Sequence, residues 1–214
     1  MKARKVKGVD PDGRADDEVA KIVAVRLDEL CSFMPAARDP AAVRTLHDMR
    51  IAAKRLRYLL ELFAPSFGEY AADAAKQTKK LQDVLGEIHD CDVTRPRIAA
   101  LGEELRAEDA RAVLAQVEPG AKDLDMGLAA QAPHRAAYRG LDTLDVALRA
   151  RRELLFVRFL DRWDKLERKG FRERLESAVA ERPAESESDD VITSRSHESN
   201  GAGPDQALPS EEPA

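Results

Sequence analysis

The sequence predicts an all-α fold, an antiparallel helical bundle, from its composition and from the spacing of its apolar residues. Charged residues make up 35% of the 214 residues and aromatic residues only 5%. Ala, Leu, Arg and Glu, which favour helices, are abundant. In residues 43–63 the apolar positions recur every three or four residues and so form one stripe of a helix. That stripe consists of Met49, Ala52, Ala53, Leu56, Leu59, Leu60 and Phe63.

The first predicted helix runs from about Asp17 to Phe33, with Asp16 as a plausible cap and Pro35 as its end. Its buried side is predicted to carry Val19, Ile22, Val23, Leu27 and Leu30. Residues 1–16 contain basic residues, glycines and a proline without periodicity. We expect them to form a basic N-terminal arm that either lies on the domain or extends freely.

The second predicted helix begins near Asp39-Pro40, a cap followed by proline at the first helical position, and ends at about Phe63. Pro65, Ser66 and Gly68 are predicted to form a turn. A third helix then starts near Glu69, with Leu81, Leu85 and Ile88 on its buried side.

After the sequence His89-Asp90-Cys91-Asp92 we expect a separate helix to about Val117, with Pro96 in its first turn or marking a break. Asp90 or Asp92 would cap that helix, and Asp90 would pair with an arginine of the second helix. The last helical region is predicted to span 135–180, with a bend near Gly170. The helical domain therefore covers 17–180.

Residues 181–214 are predicted to be a disordered acidic tail, because they contain Ser, Glu, Asp and Pro but almost no apolar residues. They carry nine acidic residues against two arginines, whereas the whole chain has a net charge of −5. The first 180 residues are therefore mildly basic. No apolar signal segment or run of about 18 apolar residues occurs, so we expect a soluble, cytoplasmic protein with no membrane span.

One side of the second helix carries a concentration of cations around a histidine. On a helical wheel Lys54 and Tyr58 lie within about 20° of His47, with Arg50 and Arg57 on one flank. Arg44 and Arg55 lie on the other flank. The third helix adds Lys76, Lys79 and Lys80. Most charge runs are solvated surfaces, but few acidic residues interrupt this one, and arginine presents a planar fork of donors to phosphate. This face is therefore predicted to bind a polyanion.

The residues from His47 to Tyr58, followed by KKLQDVLGEIHDCDV at 79–93, resemble the CHAD family, the conserved histidine α-helical domains. The resemblance is carried by a histidine, an arginine three residues later, a Lys-Arg-Leu-Arg-Tyr run and a Leu-Gly-acid-x-x-Asp element. It implies a helical fold that binds inorganic polyphosphate without catalysis or a cofactor. The resemblance also implies that the protein associates with polyphosphate granules.

The resemblance carries phosphate contacts over to residues of the second and third helices, and Tyr58 would donate its hydroxyl or only pack. The implied residues are His47, Arg50, Lys54, Arg55, Arg57, Tyr58, Lys76, Lys79 and Lys80. Family members usually contain two copies of the helical unit around a basic channel, whereas this sequence contains one. The chain would then either rebuild the channel as a homodimer or present one open basic surface.

Other functions remain open. A metal-dependent phosphohydrolase could use His47, His89 and Asp90, with Asp92 nearby, although fixed cations around His47 would repel a divalent metal. The face could instead dock an acidic protein partner or the chain's own tail. Single-stranded nucleic acid is less favoured as the specific ligand, because no aromatic residues for base stacking interleave the cations. We predict no functional role for His134 or His197.

Overall fold

The computed structural model describes residues 2–181, which form helices and their connections without a β-strand. The elements are α1 (Ala15–Cys31), a 3₁₀ turn (Ala36–Arg38), α2 (Val43–Leu114), α3 (Met126–Ala129), α4 (Arg135–Arg168) and α5 (Phe171–Ala180). The predicted all-α class is confirmed. The predicted acidic tail, with His197, lies outside the described residues apart from Glu181.

The longest element, α2, folds back on itself at Gly68. This glycine has φ 75° and ψ −175°, whereas Pro65 lies within helical backbone. Such a positive φ is readily adopted by glycine, which has no Cβ. We call residues 43–67 the first arm of α2 and residues 69–114 its second arm. The predicted reversal is therefore confirmed, but it takes a single residue rather than a turn that begins at Pro65.

The second arm is one continuous helix through His89, Asp92 and Pro96, so the predicted separate helix after residues 89–92 is wrong. Neither Asp90 nor Asp92 caps a helix, because both lie within this one. Proline in a helix removes one donor, and here the tertiary structure holds the neighbouring turn in place. Asp92 accepts a hydrogen bond of 2.5 Å from Nε of Arg152 on α4, whose Nη2 also donates to the carbonyl of Pro40 at 2.8 Å. The arginine paired with this turn thus comes from α4, not from the second predicted helix.

The core lies between the two arms of α2 and the three helices packed against them, α1, α4 and α5. Five members of the predicted stripe, Met49, Ala52, Ala53, Leu56 and Leu60, are buried, and Leu59 and Phe63 pack against the core from partly buried positions. Trp163 and Phe159 of α4 close the core from the other side. The predicted bend near Gly170 is confirmed, since this residue has φ 63° and separates α4 from α5.

The N-terminal arm lies along α1 rather than extending freely. The Arg4 guanidinium contacts Asp28 and Ser32, and Lys21 donates a hydrogen bond of 2.9 Å to the carbonyl of Gly8. Cys31 is half-buried and Cys91 is buried, and both are free thiols. Within residues 2–181 no helix combines the length and the apolar character that a membrane crossing requires.

Candidate anion-binding face

The first arm presents His47, Arg50, Lys54 and Tyr58 away from the core. Lys54 and Tyr58 are exposed, while His47 and Arg50 are half-buried where the second arm passes beside them. The apolar stripe on the opposite side fixes this orientation, because burying it leaves the charged positions outside. The predicted polar face of the helix is therefore outward-facing in the folded chain.

His47 meets His89 of the second arm. Their Nδ1 atoms lie 3.2 Å apart, and the ring centroids lie 4.4 Å apart with a tilt of 42° between the planes. Neither ring is fully exposed. The sequence offered His89 only as a residue of the phosphohydrolase alternative and not as a polyphosphate contact, and the fold places it beside the histidine on which the prediction rested.

A second contact one turn away fixes the register of the two arms. The Arg50 guanidinium lies over Gly86. A Cβ atom added at this glycine would be 3.8 Å from Nε of Arg50. Because the arms are antiparallel helices of equal rise, positions equally distant from Gly68 lie level with each other. Lys54 is then level with Gln82, and Arg57 is level with Lys79.

Tyr58 packs beneath two cations of its own arm. The Lys54 ammonium lies 5.6 Å from the ring centroid and the Arg57 guanidinium 4.5 Å from it. Both distances are typical of cation–π contacts. Arg57 also lies 3.4 Å from a carboxylate oxygen of Glu61. Tyr58 thus packs against an exposed lysine and against an arginine whose side chain is only 14% exposed.

Arg55 occupies a different environment from its neighbours. Its guanidinium points toward α1 and lies 3.2 Å from the carboxylate of Glu29, whose side chain is only 2% exposed. Arg26 binds the same carboxylate at 2.6 Å. Arg55 therefore joins α1 to the first arm.

The three lysines of the second arm are all exposed but do not share one direction. Counting about 100° per residue from His89, Lys79 lies about 80° away, Lys76 about 140° and Lys80 about 180°. Lys79 therefore points nearest to the direction of His89, but it lies about 15 Å further along the arm, level with Arg57, whereas Lys80 points to the opposite side of the arm. We define the basic face as His47, Arg50, Lys54, Arg57, Tyr58, Lys79 and His89.

The charges of the basic face are weakly compensated within the chain. Across residues 2–181 no carboxylate forms an ion pair with Arg50, Lys54 or Lys79. A cleft of about 670 Å³ between the second arm and α4 differs in this respect. There Arg95 and Arg149 both bind Asp145, at 2.9 and 2.6 Å. Arg50, Lys54 and Lys79 thus have no carboxylate partner among the described residues, whereas Arg95 and Arg149 in the cleft share one.

His89 is shifted toward its neutral form. Burial lowers the pKa of this imidazole, and the positive charges of His47 and Arg50 lower it further. Asp90 and Asp92 oppose the shift. The protein thus disfavours a positive charge on His89, and a bound anion beside the ring would favour that charge.

For a metal, the fold assembles only part of the predicted ligand set. His47 and His89 are adjacent, but Asp90 is exposed and Asp92 is bound to Arg152. Among the described residues no group of three His, Cys, Asp or Glu side chains is arranged to hold a metal ion.

A second polar cluster, at the far end of the second arm, was not predicted. Asp109 is buried and accepts hydrogen bonds from the backbone N–H of His134 at 3.1 Å, from its ring Nδ1 at 2.8 Å and from the Tyr138 hydroxyl. The segment between α2 and α4 is thereby fastened to the second arm. His134 thus has a structural role, which its position after a proline did not indicate.

We predict that D109N lowers the melting temperature and that the loss depends on pH. Burial raises the pKa of Asp109, but the donors Tyr138 and His134 together outweigh it and lower the pKa below its usual 3.8. Because the pKa is lower in the folded chain than in the unfolded chain, the ionised carboxylate stabilises the fold above pH 3.8. This stabilisation is lost as the pH falls below that value and the carboxylate is protonated. Thermal unfolding should therefore separate the two proteins at pH 7 and much less at pH 3. An equal difference at both pH values would contradict the assignment.

The fold and the basic face together define an all-helical protein with a histidine-bearing cationic surface. The family model described as CHAD domain matches residues 3–99, a little under half of the chain. The match covers α1 and the region of α2 that carries the basic face. Searches of curated proteins and of solved structures returned no significant match.

Proposed function

We propose that this protein binds inorganic polyphosphate through the basic face and does not hydrolyse it. The observation that carries the proposal is the convergence of unpaired cations and two imidazoles from both arms of α2 on one outward surface. The match to the CHAD domain supports the same ligand, since that family is known for polyphosphate binding.

The chemistry of the face suits a repeating anion. His47 to Tyr58 spans about 16 Å along the helix axis, so a linear ligand can contact several cations in succession. Arginine offers paired donors to phosphate oxygens, and each neutralised phosphate releases a condensed counterion. The binding should therefore be multivalent and strongly dependent on salt.

The first test is titration of the purified protein with long-chain polyphosphate at several salt concentrations, with pyrophosphate and single-stranded DNA alongside. We expect tight binding of the long chain, weak binding of pyrophosphate and a steep linear fall of log affinity with log salt. Equal binding of single-stranded DNA would indicate a nonspecific polyanion surface.

The same samples test the enzymatic alternative. Phosphate release is measured with and without Mn²⁺, and we expect none in either case. Release that requires the metal would replace the binding function with a phosphohydrolase built on His47, His89 and Asp90. The observation that favours this second candidate function is the contact between the imidazoles of His47 and His89.

We further propose that two copies of the chain combine their basic faces in the cytoplasm when polyphosphate is bound, for example at polyphosphate granules. The sequence contains one copy of the helical unit with its basic helix, whereas a channel requires cations on two sides. Light scattering with and without the ligand distinguishes a homodimer from one open surface. A mass that stays monomeric at saturating polyphosphate would establish the open surface.

A further inference from the structure

The contact between His47 and His89 constrains how many protons the two rings carry. At 3.2 Å between the Nδ1 atoms, a hydrogen bond requires one nitrogen to donate an N–H and the other to accept it with its lone pair. If both Nδ1 atoms carry protons, two N–H groups oppose each other. The free protein therefore favours a pair in which at least one ring is neutral.

The groups around the pair come from three directions. Arg50 approaches from the first arm, and Asp90 and Asp92 follow His89 on the second arm. On α4, Arg152 binds Asp92 and Arg151 binds Glu87, so these two acidic side chains are already compensated. Asp48 is adjacent to His47 in sequence on the first arm. Full protonation of the pair would thus add a cation beside Arg50 with little compensation from the protein.

We propose that the His47–His89 pair couples polyphosphate binding to proton uptake, so that affinity rises as the pH falls. This inference rests on the proposed function and specifies how the same face is regulated. A phosphate bound between the rings accepts a hydrogen bond from an N–H group of each imidazole. Its negative charge attracts both protonated rings and so offsets the repulsion between their positive charges. The added proton comes from solvent and binds a ring nitrogen, and no bond of the ligand breaks.

The linkage has a defined sign. His89 is held toward neutrality in the free protein, because burial and neighbouring cations lower its pKa. Bound phosphate favours the charged form and raises that pKa. Between the two pKa values each bound ligand takes up protons, and uptake of one proton changes the affinity by up to about tenfold per pH unit. The effect is greatest on the acidic side of neutrality.

The test measures affinity and proton uptake together. Long-chain polyphosphate is titrated calorimetrically from pH 5.5 to 8.5 at constant ionic strength, in two buffers that differ in ionisation enthalpy. The internal phosphates of long chains stay ionised over this range, so proton uptake reports on the protein. We expect net proton uptake near pH 6.5 and a clear loss of affinity toward pH 8.5.

H89N is the diagnostic variant, because asparagine is polar and similar in size but does not titrate. We expect weaker binding than wild type at pH 5.5, a flatter pH profile and less proton uptake. H47N provides the same test on the other ring if H89N fails to fold. H134N is the matched control, since His134 lies at the far end of the second arm beside Asp109, and its uptake should equal that of wild type.

The outcomes separate this inference from the function on which it rests. Polyphosphate binding with the same proton uptake in wild type, H89N and H47N would overturn the coupling and leave the binding function intact. Absence of binding at every pH would overturn both. Proton uptake that is lost in both H89N and H47N but persists in H134N would establish the coupling.

Discussion

Replacing Arg50 and Lys54 with glutamate is expected to abolish polyphosphate binding while the helices stay folded. Both side chains point away from the apolar stripe, and neither forms an ion pair with a carboxylate in residues 2–181. The double variant changes the charge of the face by four, so we expect a loss of at least about 100-fold in affinity near 0.1 M salt. Calorimetric titration measures the affinity, and circular dichroism measures the helix content.

The matched control for this experiment is the double variant R139E/R158E. Arg139 and Arg158 are exposed on α4, outside the basic face, and their replacement makes the same change in net charge. We expect the control to lose much less affinity than R50E/K54E. Equal losses in the two variants would mean that binding follows net charge rather than this surface. Unfolding of R50E/K54E would instead assign the two residues to the fold.

The second large effect is expected at Glu29, where E29A should destabilise the protein by about 3 kcal/mol, because removing one partner leaves buried charges without compensation. The Glu29 carboxylate accepts hydrogen bonds from Arg26 at 2.6 Å, from Arg55 at 3.2 Å and from the backbone N–H of Arg4 at 3.3 Å. Its loss therefore loosens the N-terminal arm, α1 and the first arm together. Urea unfolding followed by circular dichroism measures the change.

A matched control for E29A is E153A, which removes an exposed glutamate from the surface of α4. Surface changes of this kind usually alter stability by less than about 0.5 kcal/mol. E29Q should fall between the two, because the amide keeps an acceptor oxygen but loses the charge. If E29A were as stable as E153A, the arginines would have found other partners, and the carboxylate would not join these elements.

The basic face shows what a helical wheel can and cannot predict. The wheel separated the apolar stripe from the charged positions, and burial of Met49 and Leu56 confirms that separation. It could not distinguish Arg55 from Lys54, since both lie outside the stripe. Their difference arises from α1, which brings Glu29 to one flank of the arm and leaves the other flank open.

The proximity of His47 and His89 can be read from their equal spacing around Gly68. Each residue is 21 positions from Gly68, and a helical hairpin that reverses at that glycine sets such positions opposite each other. The continuity of the second arm was harder to foresee. Pro96 and the polar residues before it resemble a helix boundary locally, and only the distant Arg152 explains why the helix continues.

The cluster at Asp109 had no local signal. Its partners His134 and Tyr138 follow a segment of more than ten residues whose path cannot be read from periodicity. A buried aspartate on a helix that is largely exposed around it also departs from the usual pattern. Such contacts depend on tertiary structure and become visible only when α4 is placed against the second arm.

The single-residue reversal at Gly68 has a consequence for the order in which the chain folds. His47 and His89 are 42 residues apart, yet the intervening chain consists of two helices joined without a loop. Little chain entropy is lost when such a hairpin closes, and contacts of this kind form early in folding. We expect the two arms to associate before α4 and α5 dock, so that a nascent chain which has emerged only to about residue 100 already displays both imidazoles side by side.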